Sequence, residues 1–132
     1  MNLVSVRIIT ASIDAMVTFY AQVTAHTARW ATPDFAEIVT AGGTLAIASE
    51  RTAALFAADS VAPASNRSVI IEFQVDDVDA VYARLADHLS EIVQAPTTMP
   101  WGNRSALFRD PDGNLVNLFT PVTAEALARV AR

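Results

Sequence analysis

Apolar positions along this chain change period several times, and the changes mark out its elements. Residues 6–10 form a β-branched run with strand character. After it Ile13, Met16, Val17 and Tyr20 recur at the spacing of one helix face. Residues 69–75 form a second such run, and Val78, Val81, Tyr82 and Leu85 follow at the same spacing. Ser12 and Asp77 stand where N-caps belong, each with an aspartate in the first turn, Asp14 or Asp79, where the helix dipole favours it. Sliding the first half by 65 residues lays Ser12 on Asp77, Ile13 on Val78, Asp14 on Asp79 and Ala15 on Ala80. The chain therefore carries an internal repeat.

Three strands are predicted after each helix, over 27–30, 35–40 and 44–49, then over 92–97, 104–109 and 115–120. Ala41-Gly42-Gly43 joins the second pair of the first set, and Pro111-Asp112-Gly113-Asn114 joins the second pair of the other. In the latter turn Pro111 fixes φ, while Gly113 and Asn114 tolerate φ > 0. Each half reads β-α-β-β-β. The alanine-rich stretch before Arg67, with Pro63, Ser65 and Asn66, reads as a linker. Thr123 can cap a short helix with Leu127 and Val130 on its apolar side. The expected organisation is one α+β domain over 1–132: module one about 1–50, linker about 51–67, module two about 68–121 and a helix about 123–131.

Strand alternation divides the side chains further. If Ser5, Arg7 and Ile9 face one way, Val4, Val6 and Ile8 pack under the helix. Likewise Ile70, Glu72 and Gln74 oppose Val69, Ile71, Phe73 and Val75, and Leu115, Asn117 and Phe119 oppose Val116 and Leu118. One set is uniformly apolar, as a helix-covered face requires. The other mixes polar and apolar side chains, as a ligand cavity would. Arg7 and Glu72 are repeat-mates.

Composition narrows the classes. With 132 residues, 52% hydrophobic and 17% charged, the chain is globular and long enough for a core. Every basic residue but the histidines is an arginine, and a net charge of −5 gives no basic stripe for nucleic acid or an anionic membrane. No apolar run is long enough to span a bilayer, and the start of the chain lacks a charged leader, so a cytoplasmic protein is expected. The absence of cysteine removes disulfides, thiolate metal sites and cysteine nucleophiles. His26 and His88 fall near helix C-termini, where the dipole and free carbonyls favour them. No Ser/His/Asp spacing can be recognised, and Gly42-Gly43 is too short for a phosphate loop.

Asp14 through Phe19-Tyr20, Val75-Asp76-Asp77-Val78-Asp79, Pro100-Trp101-Gly102 and Phe108 through Leu118 together resemble the vicinal oxygen chelate superfamily. This superfamily includes glyoxalase I, extradiol dioxygenases, and fosfomycin- and bleomycin-resistance proteins. The resemblance implies two βαβββ modules forming an open, cup-shaped mixed β-sheet with helices outside and the ligand within. It also implies that metal-dependent members hold His, Gln or Glu ligands at positions matching Ser5, Ile70, Asn117 and about Ile47. None of these four is a standard ligand, and an isoleucine has no donor to offer. The expectation is therefore no metal and no cofactor, as in bleomycin-resistance-type relatives.

The candidate ligand-binding residues are Ser5, Arg7, Trp30, Phe35, Ile47, Phe56, Ile70, Glu72, Trp101, Arg104 and Asn117. Trp101, flanked by Pro100 and Gly102, is placed to stack on a planar ligand. The expected function is metal-free enclosure of a small apolar or aromatic molecule. The alternative is a metal-independent lyase or isomerase with Glu72 as base and Arg7 or Arg104 as electrophilic partner. A homodimer is expected, because open sheet edges need covering.

Overall fold

The computed structural model describes residues 1–131. It divides into two compact units, Met1–Asn66 and a second that begins at Arg67. The first contains β1 (Ser5–Thr10), α1 (Ile13–Thr24), β2 (Arg29–Thr32), β3 (Phe35–Val39) and β4 (Thr44–Ser49), then a 3-10 helix over Glu50–Leu55. The second contains β5 (Ile70–Gln74), α2 (Val78–Leu85), a 3-10 turn (Ala86–His88), β6 (Ile92–Thr98), β7 (Asn103–Arg109), β8 (Leu115–Pro121) and α3 (Ala124–Val130).

The two units share one topology. Each holds an open, mixed four-stranded sheet, ordered β1-β4-β3-β2 in the first and β5-β8-β7-β6 in the second. In each, the first strand runs parallel to the last and the other neighbours are antiparallel. The fold is α+β, as the two β-α-β-β-β readings require.

In the first unit α1 buries Ile13, Met16, Val17, Tyr20 and Val23 against β3 and β4, whose Ala36, Ile38, Leu45 and Ile47 are also buried. In the second, α2 buries Val78 and Leu85 over a sheet face made by Ala106, Phe108, Val116 and Leu118.

The caps explain where the helices start. Asp77 accepts a hydrogen bond from the Ala80 amide at 3.1 Å, and Thr123 accepts one from Ala126 at 3.1 Å. Ser12 makes no such side-chain cap; its own amide instead donates to Thr10 Oγ1 at 3.0 Å. The β7–β8 turn is held by Asp110. Its carboxylate accepts from the amides of Asp112 and Asn114, both at 2.9 Å, and from Asn114 Nδ2 at 2.8 Å. Gly113 alone in this turn has positive φ, +84°, so Asn114 is there for its side chain.

Three sequence expectations need correction. Val4, Val6 and Val69 are exposed rather than packed, because β1 and β5 are edge strands and the helices lie mainly over their neighbours. In α3 the buried residue is Ala126, while Leu127 and Val130 stay exposed. The stretch read as linker begins with an ordered 3-10 helix.

Candidate functional site

In each sheet one face is covered by α1 or α2, and strand register decides which side chains share the other, the open face. Register partners project to the same side, and neighbours along a strand to opposite sides. In the first unit Ser5 pairs with Thr44, Arg7 with Ala46 and Ile9 with Ala48. Phe35 and Glu37 pair with Ala48 and Ala46, so they join Ser5, Arg7 and Ile9 on the open face. There the Arg7 guanidinium carbon stands 5.1 Å from the centre of the Phe35 ring, a cation–π geometry.

In the second unit Ile70 pairs with Leu115, Glu72 with Asn117 and Gln74 with Phe119. Asn117 Nδ2 donates to Glu72 Oε2 at 2.8 Å. The carboxylate can only accept, so the amide nitrogen must face it, and this fixes Asn117 Oδ1 on the other side. That oxygen is buried and has no hydrogen-bond partner among the described residues. Leaving an amide acceptor so placed costs roughly 1–3 kcal/mol. A donor supplied from outside the chain would recover it.

Of the eleven candidate residues, the structure gathers Ser5, Arg7 and Phe35 on one open face and Ile70, Glu72 and Asn117 on the other. Three belong elsewhere. Ile47 pairs with Ile8 and Ala36 on the helix-covered side and is completely buried; the first unit's counterpart of Asn117 is Ala46. A shift of one residue along a strand inverts its face, so Ala46 and Ile47 point to opposite sides of β4. Trp30 pairs with Ala36 and therefore shares Ile47's side, on the edge strand β2. Arg104 pairs with Thr120, beside Ala106 and Leu118 on the helix side. It holds both oxygens of Asp79 on α2, at 2.7 and 2.9 Å. That hydrogen bonding holds the Asp79 carboxyl below its usual range and raises Arg104. It clasps the sheet to α2.

Trp101 stands at the β6–β7 turn with more than half its surface exposed. The Gly102 amide donates to Met99 O at 2.9 Å, closing the turn, and Arg129 of α3 donates to the Trp101 carbonyl. The backbone is thus clamped while the ring is free. Phe56 follows the 3-10 helix and lines a groove over Ile9. This groove was not read from the sequence; the alanines of that stretch were the only signal, and they read as a linker.

His26 needs no functional explanation: its Nδ1 lies 2.7 Å from the Thr24 carbonyl at the end of α1. Asp34, exposed at the β2–β3 turn, is held below its usual carboxyl range by hydrogen bonds from Arg51 and then Ser49. Among the described residues no three His, Asp or Glu side chains are grouped as metal ligands. The residues at the metal-ligand positions do not fit a divalent transition metal either. They supply a hydroxyl (Ser5) and a methyl (Ala46) in the first unit, an alkyl chain (Ile70) and an amide (Asn117) in the second.

Two tandem β-α-β-β-β units, each with a helix-covered face and an open face of mixed chemistry, define a repeat-built α+β protein of a recognisable kind. The model of the Glyoxalase/Bleomycin resistance protein/Dioxygenase superfamily matches residues 2–118, and the chain belongs to that superfamily. No curated protein matches it. Among solved structures it is similar to a glyoxalase/bleomycin resistance protein/dioxygenase family enzyme from Burkholderia phytofirmans PsJN. The TM-score is 0.80 and the identity 22%, over 92% of this chain and 100% of that one. It is also similar to a lactoylglutathione lyase from Agrobacterium tumefaciens, with a TM-score of 0.69 and 20% identity over 90% and 92% of the two chains. A glyoxalase-related enzyme from Fulvimarina pelagi gives a TM-score of 0.77 at 16% identity, covering 95% and 94%. At these identities the likeness establishes the fold, and a shared fold does not carry an activity with it.

Proposed function

We propose that the protein binds a small, largely apolar or aromatic molecule without a metal ion, as a cytoplasmic homodimer, in the manner of the bleomycin-resistance branch of its superfamily. The observation that carries this reading is the Glu72–Asn117 pair. Where a metal-binding relative would hold its ion with a carboxylate, an amide has its nitrogen committed to Glu72 and leaves a buried oxygen open to a donor. Around it Ile70, Leu115 and Phe119 offer apolar surface, which suits a ligand that is mostly carbon with one or two donor groups. On the other open face Arg7 and Phe35 supply a cation already stacked on a ring. Glu72, held as an acceptor by Asn117, serves better as an anchor than as a base.

Trp101 is the test residue, because its ring is exposed and its backbone is held independently of it. A thermal-shift screen of planar antibiotics and small metabolites, with and without divalent metals, should yield binders whose effect does not depend on metal. Against such a binder Trp101→Ala should lose roughly 1–3 kcal/mol of affinity while folding stability changes by less than about 1 kcal/mol. Elemental analysis should find no stoichiometric zinc, nickel or iron. A strict metal requirement for binding would overturn the reading.

A further inference from the structure

The groove beside the 3-10 helix has chemistry of its own. Its volume is about 360 Å³, within the range of roughly 300–1,000 Å³ typical of small-molecule sites. Ile9, reaching from the open face of β1, forms part of its lining, and Ala53, Phe56 and Val61 supply more carbon surface. Phe56 and Val61 remain nearly half exposed. The charged side chains that line the groove are both carboxylates, Glu50 and Asp59. Neither makes a hydrogen bond or ion pair among the described residues. Arg51, the nearest cation in sequence, has its guanidinium committed to Asp34.

We propose that this groove binds a small organic cation, an ammonium group carried on an aromatic or branched-alkyl body. The carbon lining takes the body, the two carboxylates take the charge, and the face of Phe56 offers a cation–π contact. An anion of the same shape would meet two carboxylates, of which Glu50 feels the Arg51 guanidinium beside it in sequence, on a chain of net charge −5, and would be disfavoured. The groove is lined by residues of the first unit alone, and the proposal does not rest on the reading of Glu72 and Asn117.

Benzyltrimethylammonium is a suitable probe, followed by amide resonances of the isotope-labelled full chain. Shifts are expected at Ile9 and along 50–61, with binding in the millimolar range or tighter. The double variant Glu50→Gln/Asp59→Asn should bind about tenfold more weakly. Both side chains are exposed and unbonded, so the variant should fold as the parent does. Added salt should weaken binding to the parent chain, which tests the charge contribution without any substitution. The shape-matched anion 4-tert-butylbenzoate should leave these resonances in place. Equal binding by the double variant, comparable shifts with the benzoate, or no groove shifts at millimolar probe would each overturn the proposal. Probe shifts centred on Arg7, Glu72 or Asn117 instead would also overturn it, while leaving the open-face reading intact.

Discussion

Gly102 shows how much one residue can carry. Its φ is +92°, and a Cβ there would stand 2.1 Å from Thr123 Oγ1, the atom that caps α3. Gly102→Ala therefore meets an unfavourable backbone region and a clash with a cap together. It should destabilise folding by about 2–3 kcal/mol in denaturant melts. Gly43→Ala, with open space around its Cβ and no positive φ, should stay within about 0.5 kcal/mol. The sequence flagged Gly102 only as a flank of Trp101, since the partner that makes it necessary lies 21 residues further on.

Asp79 gives a pH dependence with a definite sign. Its hydrogen bonds from Arg104 hold its carboxyl below the ordinary 3.8 in the folded chain. Its contribution to stability is complete above that value and is lost as pH falls through the lower folded value. Asp79→Asn should therefore flatten the acid limb of the stability profile below about pH 4, measured by urea melts across pH, and leave its shape at neutral pH unchanged.

At the scale of elements, periodicity identified both β-α-β-β-β sets, and most strand boundaries fell within a residue or two. β2 was displaced, from 27–30 to Arg29–Thr32, because its short run carries no alternation strong enough to fix it. Face assignment proved more fragile than element assignment. On β1, β5 and β8 the alternation placed the open-face residues correctly relative to one another. On β4, where Ala46, Ile47 and Ala48 are all apolar, nothing in the residues distinguished the two sides. Pairing with Arg7 and Glu37 puts Ala46 on the face away from α1 and Ile47 on the face beneath it, although both are buried. Truncating Ile47 should therefore act on folding. Ile47→Ala should cost about 3 kcal/mol in a denaturant melt, and Arg7→Ala less than about 1 kcal/mol.

For the whole molecule, the homodimer proposed above rests on edges. β1 and β5 each end a sheet and carry exposed Val6 and Ile70, and such edges are commonly covered by another chain. Light scattering at micromolar concentration should give a mass of twice 14.1 kDa, and a monomer would refute the dimer. By itself the sequence determined the fold class, the repeat and the buried face of α1, because these depend on local periodicity that acts over a few residues. It also put Ser5, Ile70 and Asn117 at three of the positions that the family resemblance matches to metal ligands, while the fourth needed strand register. Only the tertiary structure decided that Arg104 clasps Asp79, that Glu72 is held by Asn117, and that a groove opens beside Phe56. Those outcomes depend on strand register and on contacts between residues far apart in the chain. A one-residue change in pairing reverses them, and periodicity cannot detect it.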